Sequence, residues 1–464
     1  MRHILIATAL IATPATAAPD TTRAMFEKVV NIPTVLGRGK VPEMAQYLAD
    51  QFKAAGFPEA DIKVIPYATD GDPKTAALIV HWRAAKAKAP KAKAIMLMGH
   101  MDVVEAKRED STTDPFILTE KDGYYYGRGT IDMKDGIVSI TSALINLRAR
   151  GFKPKRDIVV FFTGDEETNG FGAEKGAGEW KGVIGPLDYG LNADSGGGGF
   201  TMDDRPIGFG MQTAEKTYAD YIFTVRNRGG HSSKPRKDNA IYKLSAALGR
   251  LEAHRFEPTL SETTRGYFDS LQKRDSGPLG DAMRAWLKNP ADGAAADAIE
   301  ADDKTVGLTR TRCVATRLFG GHADNALPQL ATALVNCRIF PGVDPNAVLA
   351  DLNKIAADPD VVITRKDKAV SSLASPLRAD VMAAVTKAVS TLHPGMTVSP
   401  EMSTGASDAR PFRVAGIPVY GVNGAWVRVP DDLRAHGKDE RLPVKALEDN
   451  VKHWEILLTA LTAK

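Results

Sequence analysis

The sequence predicts an α/β protein: a domain with a mostly parallel central sheet, interrupted by an inserted α+β domain. Three observations carry this reading. From Thr21 to Asn192, apolar β-branched runs alternate with stretches whose apolar residues recur at helical spacing. The character changes near Glu215, after which Thr217–Arg226 alternates at period two. From there to Arg365 the order is strand, helix, strand, strand, helix, strand, which is that of a split βαβ domain. The expected division is 1–17 as a signal segment, 18–214 and 371–464 as the two parts of the first domain, and 215–370 as the insert.

In chain order, Met1-Arg2-His3 is a short positive start, Ile4 to Ala12 is apolar, and Ala15-Thr16-Ala17 is a small-residue cleavage site. Together they read as a secretory signal, with a mature chain from Ala18 and export, to a bacterial periplasm or beyond the cell. A membrane span needs roughly 20 apolar residues, so the segment is too short to be an anchor, and no membrane partner is expected. Thr21–Val30 and Val41–Ala55 follow as helices, and Asp61–Ile65, Ala76–Trp82 and Ala94–Met98 as strands. Ile131–Arg150 reads as a helix stopped by Gly151. Strands 157–162 and 189–192 complete this half. In the insert, helix Ala240–Ala253 precedes a polar, Ala/Asp-rich stretch, 260–305, with short helical patches. Strands near 311–319 and 332–340, helix Asn346–Ala357 and strand Val361–Arg365 close the insert. Helix Ala379–Leu392, strand Pro418–Val422 and helix Val444–Thr462 return to the first domain.

The 464 residues are 43% hydrophobic and 25% charged, enough for two or three domains with their own cores. A formal charge of +3 implies no nucleic-acid partner. Lys86, Lys88, Lys91 and Lys93 lack interleaved aromatics and read as a solvated loop. Cys313 and Cys337 lie in strand-like sequence on either side of Asn325. They would face each other across an antiparallel hairpin, and export permits a disulfide; two separate buried thiols are the competing reading.

Potential ligands gather where strands end. His100-Met101-Asp102 follows one apolar run, Asp165-Glu166-Glu167 a second and Asp194 a third, while His436 follows Pro418–Val422 by a longer loop. Ligands of open α/β sheets bind outside the carboxyl ends of strands. Three adjacent acids repel one another unless a cation or a proton relieves them; a solvated acidic turn is the plainer alternative. In an extended His100-Met101-Asp102, residues 100 and 102 share a side, so Asp102 can orient the His100 ring. Gly127 to Gly136 is a glycine-bracketed turn into a helix, and its aspartates, Asp132 included, read equally as helix caps.

His-Met-Asp-Val-Val, Gly-Arg-Gly-Thr-Ile-Asp-Met-Lys, Gly-Asp-Glu-Glu-Thr-Asn-Gly, Asn-Ala-Asp-Ser-Gly-Gly and Arg-Ala-His-Gly-Lys-Asp-Glu occur in this order. As a set they resemble the dizinc metallopeptidase family of bacterial glutamate carboxypeptidase, succinyl-diaminopimelate desuccinylase, aminoacylase and carnosine dipeptidase. The resemblance implies a zinc-peptidase catalytic domain and an inserted lid that dimerises. It implies two Zn2+ per chain, with Co2+ or Mn2+ as substitutes: His100 and Asp194 on one, Glu167 and His436 on the other, and Asp132 bridging them, with a cis Asp132–Met133 peptide. Glu166 would be the general base and acid, and Asp102 the partner of His100. His231, in Gly229-Gly230-His231-Ser232-Ser233, would donate to the oxyanion in the partner's active site. Asn325 and Arg338 match substrate-contacting positions, and Gly405 and Ser407 lie in a loop resembling the family's glycine-rich substrate loop.

There are departures: Glu105 stands where proline is common, Asp135 where glycine is common, and 260–305 lengthens the insert. Aspartate rather than glutamate at 194 leans towards aminopeptidase- and dipeptidase-like members. The expectation is an exported, homodimeric hydrolase of small-peptide amide bonds. A carboxypeptidase or an amidohydrolase of N-acyl amino acids is the alternative, and a non-catalytic binding protein the remote one.

Overall fold

The computed structural model describes residues 18–84, 92–366 and 368–463. The expected signal segment and most of the Lys-rich loop lie outside the described residues. A ten-stranded sheet forms the centre. Its middle is Ile158–Thr163, Ala94–His100, Leu187–Asn192 and Val419–Gly421, each parallel to the next. Every residue of Ile158–Thr163 and Ala94–His100 is buried. Parallel strands are covered on both faces, which is why these two are continuous apolar runs. Leu97, Val160 and Phe162 face one core, packed by helices Thr22–Val30, Val41–Ala54, Lys134–Ala149, Ala379–Leu392 and Val444–Thr462. Met96, Met98, Val159 and Phe161 face the other, closed by Trp180, Ile184 and Phe412. Alternation at period two splits each run between the two cores.

Antiparallel strands Ile62–Thr69 and Asp72–Trp82 extend one edge. The other edge holds Pro206–Glu215, Gly197–Phe200, Trp426–Arg428 and Val398–Ser403. Apart from the Pro418–Val422 neighbourhood, this edge was not expected. Gly197–Gly199 and Pro400 carry little strand propensity, and their strand conformation comes from pairing.

The chain leaves the central sheet at Glu215 and enters a second sheet at Thr217. That sheet has the antiparallel order Arg312–Gly320, Leu330–Ile339, Thr217–Arg226, Val361–Arg365. Helices Ala240–Ala253 and Pro345–Ala356 cover it, around Tyr221, Phe223, Leu244, Val335 and Leu352. This is the expected split βαβ arrangement. Cys313 and Cys337 are directly opposite in register and their sulfurs are bonded.

Two expectations change. The stretch 260–305 forms three definite helices, Glu262–Gln272, Pro278–Lys288 and Gly293–Glu300. Their Phe268, Met283, Trp286 and Ile299 make a core with Ala214 and Met402 of the central sheet and Phe340 of the insert. Thr263 bonds Thr213 hydroxyl to hydroxyl at 2.7 Å, so these helices brace the central sheet instead of merely lengthening the insert. The helix expected from Ile131 begins at Lys134. The amides of Gly129, Ile131 and Asp132 donate to the Glu440 carboxylate, which holds that stretch in a turn.

Candidate metal centre

Parallel pairing places the ends of three strands side by side. His100 is the last residue of its strand, and Asp165-Glu166-Glu167 and Asp194 follow theirs. Asp132 comes from the turn before helix Lys134–Ala149, after which the Asp132–Met133 peptide is cis, as the resemblance implied. His436 comes from the loop 430–440, at φ 61°, an uncommon conformation for a residue with a side chain.

Two groups share one carboxylate. His100, Asp132 and Asp194 form the first, and Asp132, Glu167 and His436 the second. His100 Nε2 lies 3.2 Å from Asp132 Oδ1 and 3.3 Å from Asp194 Oδ1. His436 Nε2 lies 3.1 Å from Asp132 Oδ2 and 2.9 Å from Glu167 Oε2. The two oxygens of Asp132 thus face different histidines. Bonds of about 2.0–2.1 Å to a tetrahedral zinc set ligand atoms roughly 3.3 Å apart, and these separations fit. His100 Nε2 is buried without a hydrogen-bond partner, although two carboxylate oxygens lie near it. Imidazole nitrogens with carboxylate oxygens are a donor set suited to zinc. Each group has the residues to hold a divalent cation, and Asp132 belongs to both.

The electrostatics agree. Burial pulls the His100 ring down, but Asp194, Asp102 and Asp132 hold it well above its ordinary value. Its hydrogen bond to Asp132 raises His436 to about 9. Burial and Asp132 push Glu167 up to about 7. Burial, with Asp194 next in weight, raises Glu166 well above the usual carboxylate range. Crowded acids of this kind are what bound cations offset.

Asp102 does more than expected. His100 Nδ1 is 3.0 Å from the Asp102 carbonyl oxygen and 3.6 Å from its carboxylate. The carboxylate accepts from the amides of Glu166 and Glu167, each at 3.1 Å, so the side chain holds the acidic turn while the backbone carbonyl meets the histidine ring. Asp165 points away and accepts from Tyr67 Oη and from the amides of Phe171 and Gly172, so it serves the turn.

Glu440 and Arg128 were not singled out. Arg128 Nη1 donates to Glu440 at 2.6 Å, and Nη2 donates to the Gly437 carbonyl. Together they clamp the loop that carries His436 to the turn that carries Asp132. The signal was present: both are charged residues inside metal-ligand motifs, buried and paired only on folding.

The other expected residues fall elsewhere. His231 is exposed; its backbone pairs with Ala326, and its Nδ1 meets Ser233. Asn325 lies beside it, its carbonyl accepting from Ser232 N. Neither belongs to the metal groups. Arg338 is in the insert sheet, where Nη1 donates to the Thr404 carbonyl of the glycine-rich loop. Gly405 lies in that loop, its amide donating to Ser403 Oγ. The Ser407 hydroxyl is turned to Glu215, which is ion-paired with buried Arg413.

The pattern defining Peptidase family M20/M25/M40 matches residues 96–460. The chain belongs to this family. It is 29% identical over 392 residues to human N-fatty-acyl-amino acid synthase/hydrolase PM20D1, covering 80% of this chain and 75% of that protein. It is 29% identical to the probable carboxypeptidase S-like 2 of Dictyostelium discoideum, covering 79% and 71%. Among solved structures, the M20 metallo-carboxypeptidase Sso-CP2 of Sulfolobus solfataricus superposes with TM-score 0.67 at 17% identity, covering 95% of this chain and 99% of that one. Human carnosine dipeptidase 1 does so with TM-score 0.64 at 16% identity, covering 96% of each. This M20 chain is a metal-dependent hydrolase of the peptidase and amidohydrolase kind.

Proposed function

We propose that this M20 chain is an exported dizinc enzyme that hydrolyses amide bonds of small peptides and N-acyl amino acids. The observation that carries this is the pair of three-residue groups meeting at Asp132, with Glu166 beside them. His100, Asp132, Asp194, Glu167 and His436 would hold the zinc, which would supply a water of lowered pKa and polarise the substrate carbonyl. Glu166 takes the proton of the attacking water and delivers it to the leaving nitrogen. Asp102 fixes both glutamate amides and the His100 ring. In this reading His231 donates to the developing oxyanion from the partner subunit, and its exposed position on the insert supports that role.

The aspartate at 194 leans towards dipeptidase-like substrates. The names of the relatives lean towards substrates whose scissile amide is followed by an amino acid with a free carboxylate. We favour the second. The outer strand Arg312–Gly320 supports a homodimer: Val314 and Leu318 are each 60% exposed and Phe319 57%. The Cys313–Cys337 bond supports export, because disulfides persist in oxidising compartments. No described helix is long and apolar enough to cross a membrane.

The test is a substrate panel on protein reconstituted with zinc, cobalt or manganese, alongside metal analysis. Two metal equivalents per chain are expected, with hydrolysis of N-acyl amino acids and of peptides with free C-termini, and rejection of C-terminal amides. Tolerance of the amides together with rejection of blocked N-termini would restore the dipeptidase reading. A folded, metal-loaded protein that hydrolyses none of them would leave a binding protein.

A further inference from the structure

A cavity of about 630 Å3 opens beside the metal centre, with Asp132 and Asp194 on its near wall. Its sides are Ile207, Phe209, Val427, Val429 and Leu433, and part of its floor is the side-chain-free run Gly196–Gly199. Its volume is that of a ligand pocket. Its polar end is built by residues outside every motif discussed above: Glu401 on strand Val398–Ser403, with Tyr267 and Arg274 from helix Glu262–Gln272 and the residues that follow it.

Glu401 is unusual. Its carboxylate lies directly over Gly210, where any Cβ would come within 2.1 Å of it, so glycine at 210 makes its room. Among the described residues no hydrogen bond or ion pair within 4 Å reaches this carboxylate. Half-buried in the cavity wall, it is raised to about 7 by burial, against the lowering effect of Arg274. Arg274 is exposed, with Nη1 against Gly208 at the cavity rim. An acid left unpaired in a cavity wall carries a desolvation cost that a ligand cation relieves.

We propose that this cavity is a specificity pocket for a substrate side chain that is aliphatic along its length and ends in an ammonium group, received by Glu401. The aliphatic walls take the methylenes, and the carboxylate rejects a purely apolar terminus, which would leave it buried and unpaired. Sites built around a polar partner discriminate strongly against analogues that lack it. Arg274 competes with the ligand cation and limits the preference. The inference rests on the amide-hydrolase reading for the position of the scissile bond.

The test compares lysine with norleucine, which has the same chain without the amine, at either position of a dipeptide. The zinc-loaded wild-type enzyme is expected to favour lysine at one position by at least roughly tenfold in kcat/KM. Glu401→Gln should collapse that ratio, with metal content and Tm retained, and Arg274→Ala should raise it. Equal kcat/KM for lysine and norleucine at both positions, or a lysine preference untouched by Glu401→Gln, overturns the pocket while leaving the hydrolase intact. If no dipeptide is cleaved, the small-peptide part of the proposed function fails and the pocket is judged by calorimetry with free lysine and free norleucine. Tighter lysine binding that is lost in Glu401→Gln supports it, and equal binding overturns it.

Discussion

The residues at the central sheet's edge and those at the tip of the insert belong to one expected site, yet the fold treats them in opposite ways. His100 and Asp102 are buried and Asp132 and Glu167 nearly so; His436 is exposed, but each ligand is anchored by a strand end or by the Arg128–Glu440 clamp. His231 and Asn325 sit on a two-residue strand pair and are exposed. Metal ligands must be held to fractions of an ångström, so they grow from rigid elements. A donor needed only when charge develops on the substrate can be carried on a part that moves.

Breaking the rigid half should cost most. Glu166→Gln is expected to lower kcat by about 10³-fold or more, within the range of general acid–base catalysis, with metal content unchanged by elemental analysis. Loss of metal together with activity would instead make Glu166 a ligand. His231→Ala tests the exposed half: kcat should fall about 10²-fold, as when one oxyanion donor is removed, again with metal retained. Mixed dimers of His231→Ala and Glu166→Gln should recover activity through the one intact composite site. Absence of recovery would place the donor in its own chain's site.

Glu440→Gln sharpens the contrast, since it touches no metal but frees the turn before Asp132. A loss of roughly 10–100-fold in metal affinity is expected, read by competition with a chelator. Unchanged affinity would mean the turn holds without its clamp. Smallest for catalysis is Cys313→Ser with Cys337→Ser. The bridge spans a sequence separation of 24, which by chain entropy is worth about 3 kcal/mol. The denaturation midpoint should fall while metal content and the activity of the folded enzyme persist.

Much of the central domain was legible because its signals are local. Ile158–Thr163 and Ala94–His100 are buried on both faces and read as apolar runs. His100 ends one run and Glu167 closely follows the other, so their position along the chain already implied position at the carboxyl ends of the strands. The insert's strand order was legible for the same reason. The edge strands 197–200, 206–215 and 398–403 were not, because glycine and proline become strand there only through neighbours far away in sequence. The helices of 262–300 look polar because each buries only a narrow stripe, such as Phe268, Met283 and Trp286.

The sequence alone determined the family resemblance and, through it, the expected ligand set and general base, since the motifs that carry it are short and local; it left the cysteines open between a bridge and two thiols. Only the tertiary structure decided that Asp132 presents one oxygen to each histidine, that Asp102 holds two glutamate amides, that Ser407 turns to Glu215, and that Glu401 stands unpaired in a cavity beside the metals. These are relations between segments hundreds of residues apart. They are fixed by which surfaces pack together and which polar groups find partners on burial, and no local pattern encodes them.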